Sequence, residues 1–249
     1  MKHFPPLRTR RLTVQLKELT LGDCIALASM PDHLQEALYG EFLKRSIQSV
    51  SGIEDPQQWT VQERTLVIAH YMASVLEDGP DYSLGDGRYS DFLDGAIDYP
   101  DASVSLGSIC DDHWSLRHLT GAMVESIERL QGELEGVIGL AHWILGGMAG
   151  QLVRDGEPDS SDLTPVQFDE WMLNRMRTFQ LFPVSDFEKM LASYHAGRKQ
   201  LHHLFDIQFH KDGLIVLPKS GADAVLRPAR FPVSACLPQV AFDLAGQHD

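Results

Sequence analysis

The sequence is short of the features that announce most functions. Its 249 residues hold three cysteines, Cys24, Cys110 and Cys236, far apart and in no Cys-x-x-Cys spacing. An odd count with no secretion signal excludes a disulfide framework and reads as free, buried thiols in a reducing cytosol. The opening, MKHFPPLRTRRLTVQL, carries charge but lacks the apolar stretch and cleavage site of a signal peptide. Basic residues are few: 21 Lys and Arg stand against 35 Asp and Glu, a net charge of −14. Such a chain is no general nucleic-acid binder, because that role needs basic surface to displace counterions. GxSxG, HExxH, phosphate-loop and dinucleotide-turn patterns are all missing. The expectation is a protein that is not an enzyme and needs no cofactor or metal.

The charge that is present is uneven. Lys2, Arg8, Arg10, Arg11 and Lys17 make the first segment basic, whereas residues 77–101 hold eight acids against Arg88 alone. A basic arm and an acidic belt suit contact between unlike surfaces of an assembly. Ordinary solvated charge is the simpler explanation.

Residues 12–18 alternate apolar and polar as a half-buried strand does. Thr20 caps a short helix to Met30, stopped by Pro31, and a second helix is expected over 33–50. Thr60-Val-Gln-Glu63 is a capping box opening a helix to about Leu76. Residues 78–107 read as an irregular connector with a short helix near Tyr89–Leu93 and a strand at 102–106. A helix over 121–130 leads into Gly136–Val153, an uncharged stretch whose five glycines, His142 and Gln151 favour a buried helix over a membrane span. The polar loop 155–162 reads as a linker. Further capping boxes at Thr164–Gln167 and Ser185–Glu188 open two more helices, the second running to about Leu204. Beyond it the period becomes two, with Asp212-Gly213 marking a hairpin and 231–237 suggesting another short strand. The fold class is therefore α+β and mainly α-helical, with an N-terminal strand, a helical body and a C-terminal β-hairpin region. Its expected segments are 1–77, 78–107, 108–204 and 205–249.

Four constellations invite chemistry. Cys110-Asp-Asp-His113, with His118 nearby, offers the ligand types zinc or iron prefers, in no recognised metal spacing. His195 and His202 share a helix face but stand about 10 Å apart by helical rise, too far to ligate one ion together. His203, and His210 if the hairpin folds back, complete the alternative of a metal-dependent enzyme using Cys110, His113 and the His195–His210 group. Gly146-Gly147-Met-Ala-Gly150 lacks the residues of a phosphate loop and reads as close helix packing. Asp86-Gly-Arg-Tyr-Ser-Asp91 lacks the ligand order of a calcium loop and reads as a solvated turn.

One resemblance goes further. Leu12-Thr-Val-Gln-Leu-Lys-Glu-Leu-Thr-Leu-Gly-Asp23, followed by a short helix ending at Met30-Pro31, is similar to the opening of a family of tailed-phage baseplate and tail-assembly proteins. In those proteins a strand, a turn and a helix begin a small α-rich domain. The residues that match are Leu16, Glu18, Leu19, Thr20 and Asp23, and the likeness covers roughly the first third of the chain. It implies a noncatalytic component of a phage tail or baseplate, made in the host cytoplasm and contacting other tail or baseplate proteins, without nucleic acid or a membrane span. An assembly chaperone not retained in the virion is the alternative. The partner-contact candidates are Arg8, Arg10 and Arg11 on an arm expected to lie outside the core, with the acidic belt and the C-terminal hairpin beside them. Replacing the three arginines with Glu is expected to leave the fold intact.

Overall fold

Alternation in Leu12-Thr-Val-Gln-Leu16 places Leu12, Val14 and Leu16 on one face, and all three are buried. In the computed structural model, which describes residues 2–95, 99–160, 162–221 and 226–246, this segment is the middle strand of an antiparallel sheet. Strands β1 (Leu7–Arg8), β2 (Leu12–Leu16) and β3 (Ile47–Gly52) lie in that order. The fold is α+β and helix-rich. Contacts divide the chain into two compact units: Met1–Tyr99, His203–Gln208 and Leu214–Asp249 form the first, Pro100–His202 and Phe209–Gly213 the second. Of the four expected segments, 1–77 lies in the first unit and 78–107 is divided at Tyr99. Segment 108–204 belongs to the second unit up to His202, and 205–249 returns to the first except at 209–213.

In the first unit, α1 (Leu21–Ala28) starts at a formed capping box: Thr20 Oγ1 accepts from the Asp23 N–H, and Asp23 Oδ2 accepts from the Thr20 N–H. Helix α2 (Gln35–Ser46) stops four residues short of the expected end, and the chain becomes β3. Ile47 and Val50 fit a helical period, but β2 needs a ladder partner on this side, and tertiary pairing overrides the local pattern. Helix α3 (Val61–Val75) is buried on nearly all sides through its first twelve residues and is the spine of this unit. The acidic belt is a folded element rather than bare charge. Strands β4 (Ser83–Leu84) and β5 (Gly87–Arg88) form a small hairpin followed by a 3-10 turn at Tyr89–Asp91. Asp78, Asp81 and Asp91 accept backbone N–H bonds from Ser83, Ser90 and Arg88. Asp98, also part of that belt, lies outside the described residues.

The second unit begins with a hairpin whose first strand overlaps the expected 102–106 and whose return strand was not expected. Strands β6 (Ser103–Ile109) and β7 (Asp112–Arg117) turn through Cys110 and Asp111, both at positive φ (54° and 69°). Two left-handed central residues make a tight hairpin turn, normally built from Asn-Gly, so neither Cys nor Asp signalled it. Helix α4 (Gly121–Arg129) precedes α5 (Gly139–Gln151), which is unbroken at Gly146-Gly147. A Cβ at Gly146 would meet Ile127 at 2.6 Å, and one at Gly147 would meet Phe209 at 2.3 Å, so these glycines serve close packing. Among the described residues no helix is long and apolar enough to cross a membrane.

Strand β8 (Leu152–Arg154) completes the β6-β7-β8 sheet. The loop after it is no linker between units: Glu157 pairs with Arg175, and Arg117 Nη2 donates to Ser160 Oγ at 3.0 Å, all within the second unit. Arg117 and Arg175 also donate to the Gly150, Ala149 and Leu152 carbonyls, satisfying acceptors that the end of α5 leaves open.

Helix α6 (Pro165–Gln180) has its expected capping box. Helix α7 (Val184–Gln200) does not: Pro183 occupies the cap position and Ser185 is already inside the helix. Strands β9 (Asp206–His210) and β10 (Gly213–Leu217) form the expected hairpin. Residues 231–237 form a 3-10 turn at Val233–Cys236 instead of a strand, since the flanking Pro232 and Pro238 cannot donate to a ladder. An unexpected α8 (Gln239–Ala245) follows, closed by Gly246 at φ 76°. It packs on α1 through Cys24, Ala28 and Ala241.

The strained β6–β7 turn gives a direct test. Replacing Cys110 with Asn and Asp111 with Gly should stabilise the protein by about 1 kcal/mol, because both types accept positive φ at lower cost. Urea denaturation at neutral pH would show a raised midpoint with unchanged slope, and a lowered midpoint would mean another turn geometry.

Candidate functional site

A group of deeply buried polar side chains in the first unit gathers at the start of α3. Glu63 takes the third helical position because Thr60 caps the helix and the box calls for an acid there. Its side chain is 0% exposed, and Oε2 accepts from the Thr60 N–H at 3.0 Å. Arg11 supplies the countercharge: Nη2 donates to Oε2 at 3.1 Å and Nε lies 3.1 Å from Oε1. The same guanidinium lies 4.2 Å over the Tyr99 ring. Tyr99 meets the buried His203 edge-on at 5.7 Å, and His203 Nε2 lies 3.0 Å from Thr60 Oγ1. Five residues from four segments thus close a ring of contacts around one carboxylate.

One residue further along α3, Arg64 is 1% exposed and its Nη2 donates to the Glu36 carbonyl at 3.1 Å. Arg64 lines a cavity of about 20 Å³ with Glu36, Tyr39, Thr65, Arg230 and Phe231. That volume holds a water or two and no substrate. Tyr39 Oη donates to the Phe231 carbonyl at 2.7 Å, and burial pushes its pKa well above the ordinary phenol value. This arrangement holds charge in the interior; its hydrogen bonds tie α2, α3 and the 229–233 segment together.

The arm expected outside the core is folded into it. Phe4 is buried and stacks on Tyr71 with ring centres 4.9 Å apart, and His70 Nε2 donates to the Pro5 carbonyl at 2.8 Å. Phe4, an aromatic between charged residues, was the missed anchor. Of the three arginines Arg8, on β1, and Arg10 are exposed and Arg11 is half-buried. Arg10 Nη1 donates to the Tyr99 carbonyl at 3.2 Å, and Arg11 is the partner of Glu63. The expectation that all three could become Glu without harm to the fold is therefore corrected at Arg11.

The metal-type constellations are dispersed. Cys110, expected to be buried, sits exposed in the β6–β7 turn, where partial desolvation and the adjacent Asp186 push its thiol pKa up. His113 Nδ1 lies 3.0 Å from Ser108 Oγ, and His118 Nε2 donates to the Asp101 carbonyl at 2.9 Å. His195 is exposed on α7, His202 and His203 belong to different units, and His210 lies 3.4 Å from Asp212. Among the described residues no three His, Cys, Asp or Glu side chains come together as a ligand set. Asp86 pairs with Arg227 at 3.2 Å, and Asp91 caps its own turn.

In the second unit His142 is 2% exposed and donates from Nε2 to the Ile127 carbonyl at 2.7 Å, so the neutral ring carries its proton there. Nδ1 has no partner, and burial holds the pKa below the ordinary 6.5. No family model matches the chain, and no curated protein or solved structure matches it either.

Two expectations follow. Arg11→Glu should cost about 3 kcal/mol or more, as breaking a buried pair does, while Arg8→Glu leaves stability nearly unchanged. Thermal denaturation of both variants separates them; equal melting points would remove Arg11 from the interior. For His142, the unfolded chain binds the extra proton more readily than the folded one. Its contribution is complete above the ordinary pKa and is lost as pH falls below it. Urea midpoints should therefore fall on acidification through that range, and His142→Gln should shrink the fall. An undiminished fall would assign the titration to other groups.

Proposed function

We propose that this protein is a noncatalytic component of a tailed-phage tail or baseplate, acting through protein–protein contacts. The observation that carries the reading is the segment Leu12–Met30. Leu16 is buried on β2, the chain turns, Thr20 and Asp23 close a capping box, and α1 follows. That strand, turn and helix are the opening by which the sequence resembles the phage family. Asp23 does further work as a tie: its carboxylate accepts from Arg45 Nη1 at 2.9 Å, joining α1 to α2. The Thr20 hydroxyl, with Arg45 adding to it, holds the Asp23 carboxyl below its ordinary pKa.

Exposed apolar side chains supply contact surface. Ile138, Leu181 and Val184 in the second unit are 81%, 82% and 74% exposed, and Leu21, Val240 and Leu244 stand out on α1 and α8 of the first. Side chains of this kind gain most from a partner that covers them. Arg8 remains the member of the basic triad free to meet an acidic neighbour.

Peptide mass spectrometry and electron microscopy of particles purified from the source lysate test the proposal. Stoichiometric peptides, with density at the tail end that the chain fits, are the expected result. Peptides in the infected-cell extract but not in the particle would replace the structural role with an assembly chaperone. Absence from both would end the phage reading.

A further inference from the structure

We infer that the outer edge of β3 is a self-association site, where a second copy of this chain adds its own β3 antiparallel across a two-fold axis through Val50. The sheet protects its two edges unequally. At the β1 edge the strand is two residues long, Pro5-Pro6 precede it and Arg8 stands on it. Short length, proline and charge are the usual means of discouraging strand addition. The β3 edge has none of them: Ile47-Gln-Ser-Val-Ser-Gly52 is six residues without charge or proline, and four of the six are exposed.

The register says which groups are open. Thr9 N–H donates to the Leu12 carbonyl and Lys17 N–H to the Ser46 carbonyl, each at 2.8 Å. Along β2, then, Leu12 and Val14 turn their backbone toward β1, and Thr13 and Gln15 turn theirs toward β3. Thr13 faces Ser51 and Gln15 faces Ser49, so Ser49 and Ser51 spend their backbone groups on β2. Val50 between them points its N–H and C=O to the outside.

Pairing on Val50 lets the two copies exchange both bonds and sets Ser49 against Ser51 of the other copy. It also lays the half-buried Val50 side chain, on the face of Val14, against its twin. Charge selects the same partner. β3 runs from the basic end of α2, where the largely exposed Lys44 lies 3.8 Å from Glu41 of its own helix, to the acidic Glu54 and Asp55. An antiparallel copy brings each basic end to the other's acidic end. The bulge at Gln48 and the positive φ of Gly52 (102°) confine the regular ladder, which makes the pairing weak and reversible. It stands independently of the tail or baseplate reading.

Sedimentation equilibrium of the full chain, from micromolar to millimolar concentration, is the test. A reversible dimer is expected, weakened at least about tenfold by Val50→Pro, which removes an outward N–H without touching the β2 ladder. Val50→Lys, which sets like charges on the axis, should do the same and serves if the proline variant fails to fold. Lys44→Glu should weaken the dimer, and adding Glu54→Lys should restore it. A monomer throughout the series overturns the inference, as does a dimer indifferent to both Val50 variants.

Discussion

A carboxylate without solvent exposure has to be compensated by its surroundings, and in the first unit that requirement falls on Glu63. Left alone in the interior, the charge would cost several kilocalories per mole. Thr60 and Arg11 hold it, and through them Tyr99 and His203 are drawn in. Because those residues come from the N-terminal arm, the start of α3, the end of the acidic belt and the chain after α7, one capping interaction becomes the joint of four segments. Arg11 thus has a structural duty, and its position on the arm follows from it. The next residue of α3, Arg64, is buried as well, and its guanidinium donates to the Glu36 backbone carbonyl on α2.

The second unit solves a different problem. Its central helix, α5, carries little side-chain bulk where neighbours approach, so Ile127, Met123, Tyr194 and Phe209 come close to its backbone. Glycine in a helix interior costs roughly 1 kcal/mol per residue relative to alanine, which close packing must offset. Arg117 and Arg175 then close the carbonyl end, and Trp171 lies beside both guanidiniums. Tyr194 Oη donates to Gln151 Oε1, while Gln151 Nε2 donates to the Arg117 carbonyl, leaving the buried amide satisfied.

Local signals in the sequence held at three of the four expected caps, Ser185 yielding its place to Pro183. Thr20, Thr60 and Thr164 cap the helices that their spacing announces, and Asp212-Gly213 turns the hairpin it marks. Signals failed where a distant partner decides. Ile47–Gly52 follows a helical rhythm until β2 claims it as a strand, and Cys110-Asp111 turns tightly without the residues that advertise a turn. The Glu63 centre was half legible: its capping box was in view, while Arg11, read as an outward-reaching charge, lies fifty-two residues away in sequence. Arg64 within an apolar helix and Phe4 within a polar arm were the available clues to the rest.

The division of the chain has a temporal meaning. The first unit is assembled from three separated stretches, and the second lies almost entirely within one continuous run, Pro100–His202. On a ribosome Met1–Tyr99 emerges well before His203, Phe231 and Ala241, all buried in the first unit. The second unit therefore has most of its contacts available while the first still lacks the residues that close its core. Until synthesis reaches α8, the early helices carry uncovered apolar surface. The nascent chain is thus exposed to misassociation from the emergence of α3 until α8 is made.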